Sequence, residues 1–435
     1  MLSKIIVNKI AVHFKINLIC FGLILFVFPV FAQQQILSLE DCYRLAQSNY
    51  PLIKKQNLID ASRDYTIANV SKLYLPQLNI SGQASHQSET FSFPDALSSA
   101  PGMVFPEISK DQYKIQGEVS QLIFDGGQLR SQKEMAVANA DLQKQQLAID
   151  LYSLKSRINQ IYFSILLMDG QLKQNDLRKE DLQLAVDKMV AAVENGVAFR
   201  SNVDELRAEL SAVESASIEF KGNMDAYLQM LSVFIGKTIS DASQLAKPVE
   251  LASSNEIKRP ELNLFTIREK LYDIQEKRLQ SDYLPKFSAF FQGAYGRPTL
   301  NIIADKADFW YIGGLRLNWA FGSLYTLANN KKLLNLDRQS LEADKETFLF
   351  NTSLELTQQN AQVEKYRKLI LEDEKAIKFR ASVKESAKAQ LDNGVITVRD
   401  FIAQLNAENL ARQTQILHRI QLLQATYNLK YTSGN

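Results

Sequence analysis

The sequence predicts a mixed α/β membrane protein in which long antiparallel α-helical hairpins alternate with pairs of β-strands. Three observations favour this class: long proline-free stretches with heptad spacing of apolar residues, four runs of alternating apolar and polar residues, and landmarks that occur twice in the same order. The clearest landmark is the tripeptide Tyr-Leu-Pro, which occurs at residues 74–76 and again at residues 283–285.

The first 32 residues predict a secretory signal peptide. Lys4, Lys9 and Lys15 precede an apolar run over residues 16–30, and Ala32 supplies the small residue of a cleavage site. The run is shorter than the roughly 20 residues that a membrane-spanning helix needs, which favours a cleaved leader over a membrane anchor.

Composition excludes several classes of function. The chain has 50 basic and 48 acidic residues, and three of the lysines lie in the leader, so a mature protein is nearly neutral and nucleic-acid binding is not expected. Cys42 is the one cysteine beyond the leader, and His86 and His418 have no metal-ligand spacing, so neither a disulfide nor a metal is expected. The sequence carries no phosphate-binding glycine loop and no hydrolase motif, so we expect no enzymatic activity and no cofactor.

The paired landmarks predict an internal tandem repeat over residues 33–250 and 251–435. The matched pairs beyond Tyr-Leu-Pro are Phe124-Asp125-Gly126 with Phe321-Gly322, Asn195-Gly196-Val197 with Asn393-Gly394-Val395, and Ala208-Glu209 with Ala407-Glu408. We expect the first copy to contain a helix, a β-hairpin over 77–124 and a long helical hairpin over 127–234. The second copy is expected to contain a helix, a β-hairpin over 286–320 and a helical hairpin over 322–430.

The helical hairpins are predicted from proline placement and apolar spacing. All ten prolines lie outside 107–247 and 299–435, and proline disrupts helix interiors. A heptad seam steps by four and three residues through Leu147, Leu151, Leu154, Ile158, Ile161, Ile165, Met168 and Leu172. A soluble helical bundle is the alternative, but a helix over 127–194 would be roughly 100 Å long. Gly170 is a candidate kink in that helix.

The four alternating runs are predicted to be membrane-spanning strands. Alternation alone also fits the half-buried sheet of a soluble protein, but the run lengths suit tilted spanning strands. Aromatic residues lie near the run ends, as in an interfacial girdle: Tyr113, Tyr295, Phe309, Tyr311 and Trp319. Four strands cannot close a barrel without unpaired edges in lipid, so the remaining strands must come from other copies of the chain.

The connections mark where the chain enters and leaves the sheet. Tyr74 with Pro76, and Tyr283 with Pro285, are the predicted strand entrances, where a helix ends and a strand begins. Residues 87–110 contain three prolines, five serines and a glycine and are predicted to form a long outside loop, with residues 296–307 as its shorter equivalent.

The ordered landmarks resemble the TolC-like outer-membrane efflux family over essentially all of the mature sequence. The segments that carry the resemblance are LSLEDCYRLAQSNYP (37–51), LIFDGG (122–127), NGVAFRSNVDELRAE (195–209), NGVITVRDFIAQLNAE (393–408) and the two Tyr-Leu-Pro tripeptides. The resemblance implies a homotrimer with a 12-stranded β-barrel in outer-membrane lipid and an α-helical tunnel across the periplasm of a Gram-negative bacterium. It also implies a periplasmic adaptor (membrane fusion) protein and an inner-membrane RND-type or ABC-type transporter as partners.

The resemblance also suggests residues for the periplasmic aperture. Family members often carry an acidic ring near the second tip, but the position equivalent to Asp204 in the second copy is Ala403. The candidates for an aperture or gate are therefore Asp400, Arg399, Asp204 and Arg200, with solvated surface charge as the alternative. The candidates for adaptor contact are the tips Gly196, Val197, Gly394 and Val395, with simple hairpin turning as the alternative.

Two functions remain open from the sequence. The first is the outer-membrane exit duct of a tripartite efflux or type I secretion system, which conducts solutes passively from an energised partner. The alternative is a periplasmic coiled-coil adaptor or scaffold without a membrane barrel. The exported substrate is not predicted.

Overall fold

A computed structural model describes residues 36–92, 102, 108–250 and 256–435. The predicted signal peptide and most of the loop expected over 87–110 lie outside these residues. The α-helices are α1 (Leu39–Asn49), α2 (Lys55–Lys72), α3 (Gln128–Glu194), α4 (Arg200–Ile235), α5 (Pro260–Ser281), α6 (Leu324–Asp392) and α7 (Val398–Ser433). The strands are β1 (Gln77–His86), β2 (Asp111–Phe124), β3 (Lys286–Arg297) and β4 (Asp308–Asn318). Short 3₁₀ helices span Pro51–Lys54, Ala242–Gln244 and Phe321–Ser323.

The strands form one four-stranded antiparallel sheet in the order β1-β2-β3-β4. Helices lead into the sheet and two long helical hairpins lead away from it, so the sequence helix, two strands, long helix, shorter helix occurs twice along the chain. The predicted fold class of long helical hairpins with four strands is confirmed. The division into two repeats, over 33–250 and 251–435, stays a prediction.

The two hairpins pair α3 with α4 and α6 with α7. Helices α3 and α6 contain 67 and 69 residues, which at 1.5 Å per residue makes each roughly 100 Å long. In the first hairpin, the heptad seam of α3 explains the packing of this helix, because the leucines and isoleucines of the seam from Leu147 to Ile165 are all buried. None of the helices in the described part of the chain combines the length and the apolar character needed to cross a membrane.

The main hydrophobic core lies halfway along the first hairpin. There the seam of α3 meets α1, the end of α4 and one tyrosine of α7. Leu37 forms a parallel bridge with Leu245, and the fully buried Tyr162 hydroxyl donates to the Ala246 carbonyl at 2.5 Å. The segments that flank α1 and follow α4 are therefore fixed to the long helix rather than loose.

A second core joins the two hairpins near their tips. Its members come from all four hairpin helices: Leu182, Val186, Leu206, Val213, Ala387, Val398, Phe401, Ile402 and Leu405. Lys188 of α3 also forms an ion pair with Asp392 of α6, with Nζ and Oδ2 2.8 Å apart. Both tips consequently lie at the same end of the molecule, at the far end of the long helices from the sheet.

Helix α3 runs without interruption through Gly170, where the sequence suggested a kink. A Cβ atom at this position would lie 2.8 Å from Cγ2 of Ile416 in α7. Gly170 therefore permits close approach of the two hairpins, which is a packing role.

Substitution Leu154→Asp should lower the free energy of unfolding by more than about 3 kcal/mol. Leu154 is 2% exposed in the seam, so the change removes buried apolar contacts and adds an unpaired charge. Thermal unfolding of the purified protein measures the effect. Ser156→Asp adds the same charge at an exposed site two residues away and should leave the midpoint almost unchanged. Equal unfolding midpoints for the two variants would contradict the burial of Leu154 in the heptad seam.

Substitution Gly170→Val should destabilise the contact between the hairpins by about 1–3 kcal/mol, because the added side chain overlaps Ile416. The double variant Gly170→Val with Ile416→Ala should recover part of the loss, as expected for residues in contact. Gly222→Val in α4 is the matched control, since a Cβ there meets nothing within 4 Å. No recovery in the double variant would argue against this close approach.

Candidate functional site: the exposed sheet face and the helix tips

One face of the sheet is apolar and faces away from the rest of the chain. Strand register aligns its side chains across all four strands. Its members are Leu78, Ile80, Gly82 and Ala84 on β1; Tyr113, Ile115, Gly117 and Val119 on β2; Phe287, Ala289, Phe291, Gly293 and Tyr295 on β3; and Phe309, Tyr311, Gly313, Leu315 and Leu317 on β4. Ile80, Leu315 and Phe309 are 70%, 77% and 80% exposed. A water-facing sheet surface would not carry so large a continuous apolar patch.

The opposite face is mostly polar, with Ala294 on β3 and Trp310 and Ile312 on β4 among its exceptions, and its polar groups are connected across strands. Glu118 of β2 accepts hydrogen bonds from Gln292 of β3 and from Arg316 of β4, the latter at 3.1 Å. Phe290 interrupts the polar pattern of β3, and register places it opposite Gly314, which leaves room for its ring. The Arg316 guanidinium lies 4.5 Å from the ring centre of Phe290, so this aromatic residue is covered by a cation.

The sheet has two open edges. Strands β2 and β3 are paired on both sides, whereas β1 and β4 each pair on one side only within the described residues. The outward backbone groups of these edge strands need a partner wherever water is absent.

Both strand entrances have the same construction. Helices α2 and α5 end shortly before Tyr74 and Tyr283, and β1 and β3 begin directly after Pro76 and Pro285. The carbonyl oxygen of Tyr74 accepts a hydrogen bond from the Gln121 side chain at 2.6 Å. The carbonyl oxygen of Tyr283 likewise accepts one from Nε1 of Trp319 at 3.1 Å. In each half of the chain, the entering strand is thus fixed to the strand that leaves the sheet.

The two helix tips also share one geometry. Gly196 and Gly394 have φ values of 75° and 70°, a left-handed conformation that glycine adopts without strain. The amides of Val197 and Val395 reach back to carbonyls of the preceding helix at 2.9 and 2.8 Å. Both valine side chains project into solvent, 78% and 70% exposed, so each tip presents one apolar side chain.

Asp400 caps the second tip. Its carboxylate accepts hydrogen bonds from the hydroxyl and the backbone amide of Thr397 at 2.7 and 3.1 Å, and its own amide donates to that hydroxyl at 3.2 Å. This capping box begins α7. The Thr397 hydroxyl, followed by the Thr397 amide, lowers the pKa of Asp400 below its ordinary value of 3.8.

The other aperture candidates lie on exposed surface at the same end. Arg399 is exposed beside Asp400 and its charge also favours the ionised carboxylate. Asp204 and Arg200 are exposed on the first turns of α4, and within the described residues neither forms an ion pair. Helix α4 begins after Phe199 without a side-chain cap, so the two tips differ in this respect.

Sequence reasoning missed a buried polar belt above the tips. Glu408 of α7 is 4% exposed and contacts Lys384 of α6 at 3.3 Å and Arg412 at 2.5 Å. Burial opposes the charge of Lys384, but its hydrogen bond to Asp181 of α3 and the charge of Glu408 outweigh burial, so its pKa is raised.

The first hairpin contributes an equivalent contact to this belt. Arg178 of α3 donates to Glu209 of α4 and, at 2.6 Å, to the side-chain oxygen of Asn406 in α7. Asn406 in turn donates to Glu209 at 3.1 Å. The duplicated Ala-Glu pairs, 208–209 and 407–408, were the available signal, because both glutamates bind a basic residue on the neighbouring helix of their own hairpin.

Comparison with known proteins gives one family model and several solved structures of similar fold. The family model described as outer membrane efflux protein matches residues 42–237. The outer membrane protein VceC of Vibrio cholerae shares 12% identity at a TM-score of 0.64, over 91% of this chain and 96% of that one. CusC shares 14% identity at a TM-score of 0.65, over 92% of each chain. The open outer membrane channel MtrE of Neisseria gonorrhoeae shares 13% at 0.63, over 91% of this chain and 89% of that one. No curated protein sequence matches this chain.

The capping box predicts a local acid sensitivity at the second tip. The depressed pKa of Asp400 means that its contribution to order is complete above pH 3.8 and is lost as the pH falls through the lower, folded-state value. Amide exchange at the start of α7, corrected for its intrinsic pH dependence, should stay slow from neutral pH to about pH 4 and accelerate only below that.

Two comparisons control this experiment. Thr397→Ala should weaken protection of the start of α7 at all pH values, by about 1 kcal/mol of local opening free energy. The start of α4, which has no side-chain cap, should show no step in the same acidic window. A step of equal size at both tips would show that Asp400 is not its cause.

Proposed function

The chain belongs to the TolC-like outer membrane efflux protein family, and from this premise we propose that three copies form the exit duct of a tripartite efflux or type I secretion system. The family is one of outer membrane channels rather than enzymes. The chain is accordingly a protein of the cell outer membrane whose helices extend into the periplasm. In the proposed duct, solutes pass passively from an inner-membrane pump and a periplasmic adaptor to the outside.

The sheet is the observation that carries the proposal. Its exposed apolar face suits lipid, and its polar face suits a water-filled lumen. Its two open edges cannot remain unpaired in a bilayer, where each unsatisfied backbone group costs several kcal/mol. Pairing of β4 of one copy with β1 of the next satisfies both edges at once. Three copies of a four-stranded sheet would give a closed barrel of 12 strands.

The helices support a continuous passage below the sheet. With α3 and α6 each roughly 100 Å long, hairpins from three copies would form a tube that crosses the periplasm. Large exposed apolar side chains on α6, including Phe350 and Phe379, supply surface for contact between copies. No bound energy source is required, because an ATP- or proton-driven partner would move the solute.

The tips are the proposed contact with the adaptor. Gly196 with Val197, and Gly394 with Val395, lie at one end of the molecule and present exposed valines on turns that contain a left-handed glycine. A cavity of about 270 Å³ lies beside them between α3, α6 and α7. Its lining combines apolar side chains, including Leu184, Met189 and Phe401, with charged ones, including Lys188, Lys388 and Asp392. Apolar groups of this kind suit the tips of partner helices.

Reconstitution tests the proposed duct against the alternative of a periplasmic scaffold. The purified protein should float with phospholipid vesicles, migrate as a trimer after extraction and produce discrete conductance steps in planar bilayers. A folded trimer that stays in the aqueous fraction and never conducts would contradict the duct and favour the scaffold.

Ion selectivity tests the aperture role proposed for Asp400. Asp400→Asn removes the charge but keeps a hydrogen-bond acceptor for the cap, and it should shift the reversal potential in a salt gradient towards weaker cation preference. Thr397→Ala is the matched control, because it removes the cap and keeps the charge. Identical reversal potentials for Asp400→Asn and the parent would exclude Asp400 from the aperture.

A further inference from the structure

One aromatic residue on the polar face of the sheet has a hydrogen-bond donor without a partner. Trp310 interrupts the polar pattern of β4, and register places it opposite Ala294 of β3, which is buried. The Nε1 atom of Trp310 is also buried, and it forms no hydrogen bond within the described residues. Buried tryptophan N–H groups usually have an acceptor, so this donor is suited to an acceptor atom of a ligand.

A cavity of about 180 Å³ lies at this donor, near the end of the sheet that is opposite to the strand entrances. The polar side chains that line it include Gln83 and Ser85 of β1, Gln112 and Lys114 of β2, and Trp310 of β4. Strand β3 lies between β2 and β4, so the indole must extend across β3 to share a cavity with Lys114. Small residues permit this, because Ala294 and Gly296 occupy the β3 positions on this face and Gly296 pairs with Lys114.

Lys114 gives the cavity a positive charge. Its side chain is exposed, and no residue of the described chain pairs with its ammonium group. The carboxylates on the same face of the four strands already have cationic partners: Glu118 binds Arg316 at 3.1 Å, and Asp308 binds Lys306 at 2.8 Å. An anionic ligand would therefore meet an unpaired cation, whereas a cationic ligand would be repelled.

We propose that this cavity binds the carboxylate of a small organic acid, which accepts hydrogen bonds from the ammonium group of Lys114 and from Nε1 of Trp310. The two oxygens of a carboxylate suit two separate donors, and a hydrogen bond between ionised groups is stronger than one between neutral groups. The Ser85 hydroxyl and the side-chain amide of Gln83 supply further donors. The indole ring offers an apolar surface to the rest of the ligand.

The role of this site in transport rests on the proposed duct. There the polar face would line the lumen, and the cavity would lie at the outer opening, because the strand entrances are at the helical end of the sheet. Unpaired lysines from three copies would raise the local concentration of anions at that opening. Small organic acids are therefore the class of solute that the outer opening would favour.

The emission of Trp310 measures binding directly, because the chain has only one other tryptophan, Trp319. In purified, detergent-extracted protein with Trp319→Phe, benzoate should change the emission of Trp310 in a saturable manner. Benzamide has a similar shape without the charge and should require at least about tenfold higher concentrations. The absence of a saturable response to benzoate, or equal affinities for the two compounds, would overturn the site.

Lysine variants in the same background separate the site from the general charge of the sheet face. Lys114→Gln should weaken benzoate binding about tenfold or more, as expected when a hydrogen bond between ionised groups is lost, and Lys114→Arg should retain most of the affinity. Lys286→Gln removes the same charge from the same face roughly 30 Å away along β3 and should bind benzoate as the parent does. Equal weakening by Lys114→Gln and Lys286→Gln would overturn the site.

Conductance in planar bilayers distinguishes failure of the site from failure of the duct. Protein that conducts but does not bind benzoate would overturn the site and leave the duct intact. Protein that binds benzoate with the expected pattern among the variants but never conducts would support the site and overturn its transport role together with the duct.

Discussion

Unpaired backbone at the two outer edges of the sheet is the constraint on which the rest of the structure depends. Among the residues that the structure describes, strands β1 and β4 each carry a free edge, and the sheet between them has an exposed apolar face. Water satisfies the edges but not the apolar face, and lipid satisfies the face but not the edges. In the proposed duct, self-association in a bilayer would satisfy both, because each copy would supply the strand that the next copy lacks. The proposed duct therefore requires oligomerisation for the sheet to be stable in a membrane.

The long helices extend roughly 100 Å from the sheet to the tips, so the arrangement of the hairpins must be kept over that distance. Buried leucines and isoleucines hold each hairpin together, while Gly170 and the polar belt around Glu408 hold the hairpins against each other. A buried charged group that loses its partner is costly, so the belt fixes one arrangement of the hairpins more strictly than apolar contacts alone would. The capping box of Thr397 and Asp400 then orders the second tip, and both tips turn at a left-handed glycine where the proposed adaptor contacts lie.

Much of the fold could be predicted because its signals are periodic. The seam from Leu147 to Ile165 is buried as the heptads predict, and strands β1 and β3 begin directly after the prolines of the two Tyr-Leu-Pro tripeptides. The packing roles of individual residues could not be predicted, because they depend on contacts with residues that are distant along the chain. Asn175 interrupts the seam with a polar residue, yet it is fully buried and donates to the Val213 carbonyl at 2.7 Å. Gly170 suggests a kink when it is considered within its own helix. Its packing role is visible only in the structure, because its neighbour Ile416 lies in another helix.

The same limit applies to the candidate site. Asp400 was singled out for its charge, and its hydrogen bonds with Thr397 were visible only once the start of α7 was placed. Amide exchange of the edge strands in vesicles tests the central claim most directly. The outward amides of β1 and β4 should exchange as slowly as those of β2 and β3, because strands of neighbouring copies cover them. Rapid exchange confined to the two edges, in protein that has entered the bilayer, would contradict closure of the sheet by identical copies.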